Sequence, residues 1–146
     1  MAVGIFDSGL GGLTVFDAAQ KRLPDVPFIY MADSAHAPYG VRTSDDIYDL
    51  TCQSVQRLFD AGCDLVILAC NTASTKALRK IQQEWLPNHY PDRRVLGVVI
   101  PLAESAVQWT RYGRIGVIGT RATIESGVYR EEILKLSPNV KIFGKA

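Results

Sequence analysis

Leu65-Val66-Ile67-Leu68-Ala69-Cys70-Asn71-Thr72-Ala73 compresses a strand, its end and the start of a helix into nine residues. Leu65 to Leu68 is apolar throughout, without alternation. That pattern suits a strand buried on both faces of a parallel sheet. Short polar residues follow at once, and the run from Ala73 to Trp85 reads as a helix. A strand feeding directly into a helix is the repeating unit of an α/β fold.

The same alternation extends in both directions. Upstream, Val3 to Phe6 is a short apolar strand, and Leu13 to Arg22 reads as a helix stopped by Pro24. Phe28 to Met31 is a second strand, and a polar loop runs from Asp33 to Gly40. Thr43 and Asp46 have the spacing of a capping box. The helix behind them carries Ile47, Leu50, Val55, Leu58 and Phe59 close to one face, with Gly62 as its stop. Downstream, Pro87 and Pro91 are expected to bracket a loop. Val95 to Ile100 reads as a strand, with a helix from Pro101. Ile115 to Ile118 reads as a strand, Ile124 to Leu136 as a helix, and Val140 to Phe143 as the beginning of one more strand. The expected fold class is α/β with a doubly wound parallel sheet.

Bulk properties narrow the function. The 146 residues are 47% apolar, enough for a sizeable core. The net charge is +1 and Lys and Arg are scattered, which excludes the dense basic face of a nucleic-acid binder. No apolar run approaches the roughly 18 to 20 residues that span a bilayer. The first residues, Met1-Ala2-Val3-Gly4, lack the pattern of a secretion signal, so a cytoplasmic location is expected. Cys52, Cys63 and Cys70 form no Cys-x-x-Cys pair, which argues against a disulfide framework or a zinc site.

Sheets of this kind bind ligands beyond the carboxyl ends of their strands. After the first strand comes Asp7-Ser8-Gly9-Leu10-Gly11-Gly12. Glycines and a helix start suggest a site for an anion such as a carboxylate. A dinucleotide fingerprint fails here, because its third glycine falls at Thr14. Asp7 is unfavourable beside an anion unless it holds an ammonium group or assists proton transfer. After the second strand, Pro38-Tyr39-Gly40 taken alone is a turn with a packed tyrosine. After the third strand, Cys70 stands where a helix end favours the thiolate, with Asn71 and Thr72 beside it as caps or as carboxylate ligands. Cys52 and Cys63 lack that setting and read as packing residues. After the fifth strand, Gly119-Thr120-Arg121-Ala122-Thr123 repeats the theme of hydroxyls at a helix start. A flavodoxin-like module binding a small carboxylate without chemistry is the rival reading.

With these residues in place, the sequence resembles glutamate racemase. Gly4-Ile5-Phe6-Asp7-Ser8-Gly9-Leu10-Gly11-Gly12-Leu13-Thr14-Val15 carries the match, followed by Ala37-Pro38-Tyr39-Gly40, Ala69-Cys70-Asn71-Thr72-Ala73-Ser74, and Gly116-Val117-Ile118-Gly119-Thr120 with Ala122-Thr123-Ile124. Cys-Asn-Thr is shared with aspartate and hydantoin racemases, whereas the Asp-Ser-Gly-x-Gly-Gly block is more specific to glutamate racemase. The resemblance implies interconversion of L- and D-glutamate, supplying D-glutamate for peptidoglycan, with no pyridoxal phosphate and no metal. It implies two cysteines on opposite sides of the substrate α-carbon, one removing and one delivering a proton. Cys70 would be the first, assisted by Asp7. Ser8, Tyr39, Gly40, Asn71 and Thr72 would contact the substrate, joined by Thr120 and Thr123. A homodimer is implied as well.

The chain departs from that family in three ways. No cysteine follows Cys70, whereas the family's second cysteine lies in a later Cys-Thr-His block. The family is nearly twice this length. His36 stands where members often carry arginine. Residues 1–98 are therefore expected to form a first α/β domain and 99–146 the incomplete start of a second. The chain is expected to be a fragment or a natural short form, inactive in racemisation alone.

Overall fold

The computed structural model describes residues 2–146. Strands β1 (Ala2–Asp7), β2 (Phe28–Ala32), β3 (Cys63–Leu68) and β4 (Arg94–Gly97) form one parallel sheet in the order β2-β1-β3-β4. Strands β5 (Arg114–Ile118) and β6 (Lys141–Lys145) pair in parallel as a second sheet. Helix α1 (Leu13–Arg22) links β1 to β2, and α2 (Ser44–Asp60) links β2 to β3. The expected α/β class with parallel strands is the fold observed.

The core follows from the apolar pattern. Ile47, Val55, Leu58 and Phe59 of α2 pack over Phe6, Val66 and Leu68 of the sheet, all of them buried. Alternate residues of β1 point to the two faces. Val3 and Ile5 are as buried as Phe6, so the central strand is covered on both sides. Gly4 admits α2 at close range, since a Cβ there would lie 3.1 Å from Leu58 Cδ1 and 3.2 Å from Cys63 Sγ. Phe16 of α1 packs edge-on against Phe28 and Tyr30 of β2. Thr43 caps α2 as expected: its Oγ1 accepts from the Asp46 N–H at 3.1 Å and donates to Asp46 Oδ2 at 2.7 Å.

Four local expectations change. The helix after β3 begins earlier, as α3 (Asn71–Lys76), and continues through α4 (Leu78–Lys80), a π-helical turn (Ile81–Trp85) and α5 (Leu86–His89). Pro87 therefore lies in the first turn of α5, directly after the π-helical turn, rather than in a loop. Strand β4 stops at Gly97, and α6 (Val99–Trp109) takes over residues expected to be strand, with Pro101 in its first turn. Apolar residues alone do not distinguish a buried strand from the start of a buried helix. The expected helix from Ile124 to Leu136 is two helices, α7 (Arg121–Glu125) and α8 (Val128–Leu136). Gly127 separates them with φ of 69°, a conformation that favours glycine. Helices α6 and α8 bury Ala103 and Ile133 against Ile115 and Val140 of the second sheet region.

No helix among the described residues is long and apolar enough to cross a membrane.

Candidate active site

Parallel pairing brings the carboxyl ends of β1, β2 and β3 to one edge of the first sheet. The Asp33 N–H donates to the Asp7 carbonyl at 3.0 Å, and the Ala69 N–H donates to the Phe6 carbonyl at 2.8 Å. These bonds extend the pairing one step past the strands and fix Ser8 beside Cys70.

Cys70 is the N-cap of α3. Its Sγ accepts from the Ala73 N–H at 3.4 Å and lies 3.3 Å from Ser8 Oγ. The thiol is 5% exposed. Cys70 Sγ thus has a backbone N–H and a hydroxyl within reach at the start of a helical run. Cys52 and Cys63 sit in the apolar core as expected. Burial pushes the Cys52 thiol up to about 11 and the Cys63 thiol up as well, so both stay protonated and serve as packing.

Asp7 is buried beside Cys70's strand end, and its Oδ2 accepts from the Gly9 N–H at 2.9 Å. A Cβ on Gly12 would come within 2.7 Å of Asp7 Cβ and 3.0 Å of Ala69 Cβ. The glycine loop thus folds around the protein's own carboxylate. The N–H groups of Leu13, Thr14 and Val15 bond to the carbonyls of Leu10, Gly11 and Gly12. Of the donors the sequence suggested for an anion at this loop, the Gly9 N–H is taken by Asp7 and those of Leu13, Thr14 and Val15 by loop carbonyls. Tyr30 closes the loop by donating to the Gly9 carbonyl at 2.9 Å. Burial, with Asp7 and Cys70 nearby, raises its phenol pKa and keeps it a donor.

The second group of residues lies where α3 meets the helix after β5. Thr72, Thr120 and Thr123 form a triangle of hydroxyls, with Oγ1 separations of 3.0 Å for Thr72 and Thr120, 3.4 Å for Thr72 and Thr123, and 3.0 Å for Thr120 and Thr123. Thr120 also caps α7 by accepting from the Thr123 N–H at 3.2 Å. Capping and contact with Thr72 are therefore served by one side chain. Gly40 lies against Thr120, because a Cβ there would fall 2.7 Å from Thr120 Cβ. Asn71 Oδ1 accepts from the Tyr129 hydroxyl of α8.

Tyr39 is the packed tyrosine that its turn suggested. Its ring lies 6.1 Å from that of Phe6, and it is 1% exposed. Its hydroxyl donates to Asp33 Oδ2 at 2.7 Å, and burial with that bond raises its pKa strongly. Asp33 is also held by His36 Nδ1, at 2.8 and 3.0 Å from the two carboxylate oxygens. Burial opposes ionisation of Asp33, but the Tyr39 and His36 contacts outweigh it and hold the carboxyl below its ordinary value. The hydroxyl of Tyr39 is thus committed to Asp33, and what this loop turns toward Thr120 is Gly40.

All nine residues singled out by sequence therefore lie around the strand ends of the two sheets. A cleft of about 460 Å³ has Asp7, Gly11, Thr14 and Asn71 in its wall. Asp33, Tyr30 and Tyr129 were missed. Asp33 follows β2 directly, so the strand-end rule would have found it. Tyr129 lies within a helix and carries no local signal. Among the described residues, no group of three or more His, Cys, Asp or Glu side chains is arranged to hold a metal ion.

Comparison with known proteins places this geometry. A glutamate racemase of Roseobacter denitrificans is 60% identical over 91% of this chain and 52% of its own length. The chain thus spans about half the length of the curated relatives it matches. Among solved structures, glutamate racemase from Aquifex pyrophilus superposes with a TM-score of 0.90 at 39% identity, covering 100% of this chain and 55% of that one. A glutamate racemase from Francisella tularensis, solved in complex with D-glutamate, gives 0.82 at 34% identity over 98% of this chain and 51% of that one. The family described as Asp/Glu/Hydantoin racemase matches residues 14–145. That match spans most of the 146 residues and includes the cysteine that caps the helix after β3, and by it the chain belongs to the Asp/Glu/Hydantoin racemase family.

Proposed function

We propose that this chain is the N-terminal part of a glutamate racemase and that Cys70 is one of its two proton-transfer groups. The observation that carries the reading is the position of Cys70 Sγ, 3.3 Å from Ser8 Oγ and 3.4 Å from the Ala73 N–H, in a chain so similar to glutamate racemases. The Cys70 thiolate takes the α-proton of glutamate, and the electron pair left on the α-carbon delocalises into the substrate carboxylate. A donor on the opposite face returns a proton to the α-carbon and inverts it. Fixed donors lower the barrier by holding the charge that develops. Asn71, Thr72, Thr120 and Thr123 supply such donors, with Ser8 and the Tyr39-Gly40 turn completing the contacts. Asp7 assists Cys70 or holds the substrate ammonium group.

No cysteine follows Cys70 within these residues, so the opposite-face donor belongs to the remaining length of a full racemase. Residues 1–98 serve as the first domain and 99–146 begin the second. The enzyme works in the cytoplasm as a homodimer, without pyridoxal phosphate or metal, and its D-glutamate enters peptidoglycan.

The test is proton exchange in D₂O. The 146-residue chain is expected to exchange the α-proton of one glutamate enantiomer without racemising it, and Cys70→Ala abolishes that exchange. Exchange undiminished in Cys70→Ala overturns the assignment.

A further inference from the structure

Asn71 occupies an unusual position. It lines the cleft that contains Asp7, and it also lines a neighbouring cavity of about 360 Å³ bounded by Thr72, Thr120, Thr123 and Tyr129. Its side chain therefore forms part of the partition between two spaces. An amide has chemically different ends, an acceptor oxygen and a donor NH₂, and a half-turn exchanges them. Which end faces the cleft determines whether Asn71 attracts or repels an anion there.

We infer that Tyr129 is a positioning residue for Asn71, turning the amide so that its NH₂ is presented to the cleft for the substrate carboxylate. This rests on the glutamate racemase reading. The Tyr129 hydroxyl donates to Asn71 Oδ1 from the side of the second cavity. That turns the oxygen end toward α8 and leaves both Nδ2 protons free on the other side. Asp7, also in the cleft wall, is an acceptor when ionised, so an NH₂ on that side is favourable and a carbonyl oxygen is not. The phenol suits the task. It is buried, and burial raises its pKa to about 12, so it remains a neutral donor across the working range of pH.

The contact also spans the molecule. Asn71 starts α3, next to Cys70, while Tyr129 belongs to α8, which packs on the second sheet. Arg79 reinforces the same joint with its guanidinium 3.6 Å from both Glu131 and Glu132. The second sheet therefore orients a donor attached to the first. Tyr129 touches neither Cys70 nor Ser8 by any hydrogen bond, and its effect passes through Asn71.

Titration of the ¹⁵N-labelled chain with D-glutamate tests this by NMR. Tyr129→Phe removes only the hydroxyl and is expected to weaken D-glutamate binding about tenfold, the equivalent of one good hydrogen bond. Asn71→Ala weakens it similarly, and the double variant binds no more weakly than Asn71→Ala alone. Unchanged binding in Tyr129→Phe, or additive losses in the double variant, overturns the inference. A ligand-free readout separates it from the racemase reading. The Asn71 side-chain NH₂ resonances are expected to shift in Tyr129→Phe. If they shift while the unsubstituted chain ignores D-glutamate, the ligand assignment fails and the positioning contact stands. If D-glutamate binds but those resonances do not respond, the positioning role alone is wrong.

Discussion

Strands β1 and β5 are two versions of one element with different surroundings. Val3-Gly4-Ile5 and Ile115-Gly116-Val117 share an apolar–glycine–apolar pattern, and each strand pairs in parallel with the strand that follows it. Yet β1 has a second partner in β3, and β5 has none among the described residues. Val3 and Ile5 are both buried, whereas in β5 Ile115 is buried, Val117 half-buried and Ile118, at the strand end, 87% exposed. A strand's stability thus comes less from its own residues than from what lies beside it, the lesson of β propensity in general. The first sheet thus has β1 flanked on both sides, and the second meets α3 through α6 and α7.

Ile5→Ala and Ile118→Ala should separate the two strands most widely. The first leaves a hole in a packed interior and is expected to cost about 2–5 kcal/mol, while the second changes stability by less than about 0.5 kcal/mol. Urea denaturation of both variants measures the gap, and equal losses would mean that β5 is covered in solution.

Asp33→Asn comes next, with an expected loss of about 1–3 kcal/mol, because Tyr39 and His36 lose a charged buried partner. Its pH dependence has a definite sign. The folded-state pKa of Asp33 is depressed, so its contribution is complete above the ordinary carboxyl value and is lost as pH falls through the lower folded value. The thermal melts of Asp33→Asn and the unsubstituted protein should therefore draw together as pH falls below the ordinary carboxyl value, and a constant offset would refute the assignment.

The paired glycines sharpen the comparison further. Gly4→Ala pushes a methyl group toward Leu58 and Cys63 and is expected to cost about 1 kcal/mol or more. Gly116→Ala meets nothing within 4 Å and should be neutral or slightly stabilising. Melting temperatures of the two variants should move in different directions, or at least by clearly different amounts. The smallest effect is expected for Arg79→Ala. That side chain is 66% exposed, its two carboxylate contacts are long, and its removal should cost under about 1 kcal/mol and vanish in high salt.

Much of this arrangement is legible in sequence because its signals are local. Thr43 and Asp46 announce the cap of α2, and the uninterrupted run from Leu65 to Leu68 marks a strand buried on both faces. Cys70 is visible as a site because it directly follows such a strand. Local patterns fail where one chemical property serves two structures. Val98 to Ile100 is apolar whether it ends a strand or begins a helix, and the structure makes it the beginning of α6. The break between α7 and α8 rests on one glycine inside a helical pattern, which helices often tolerate. The glycine loop suggests an anion site from its glycines and helix start, and only tertiary folding reveals that Asp7 takes the Gly9 N–H and that the loop's own carbonyls take those of Leu13, Thr14 and Val15. Tyr129 and Asn71 are 58 residues apart, and no spacing rule connects them.

The approach of Gly40 to Thr120 has a mechanical meaning. With no room for a methyl group between them, the loop after β2 and the helix after β5 already stand at a hard stop. Any larger residue at position 40 would have to push the two apart, so the spacing between the two sheets at this point is set by a side chain that is not there.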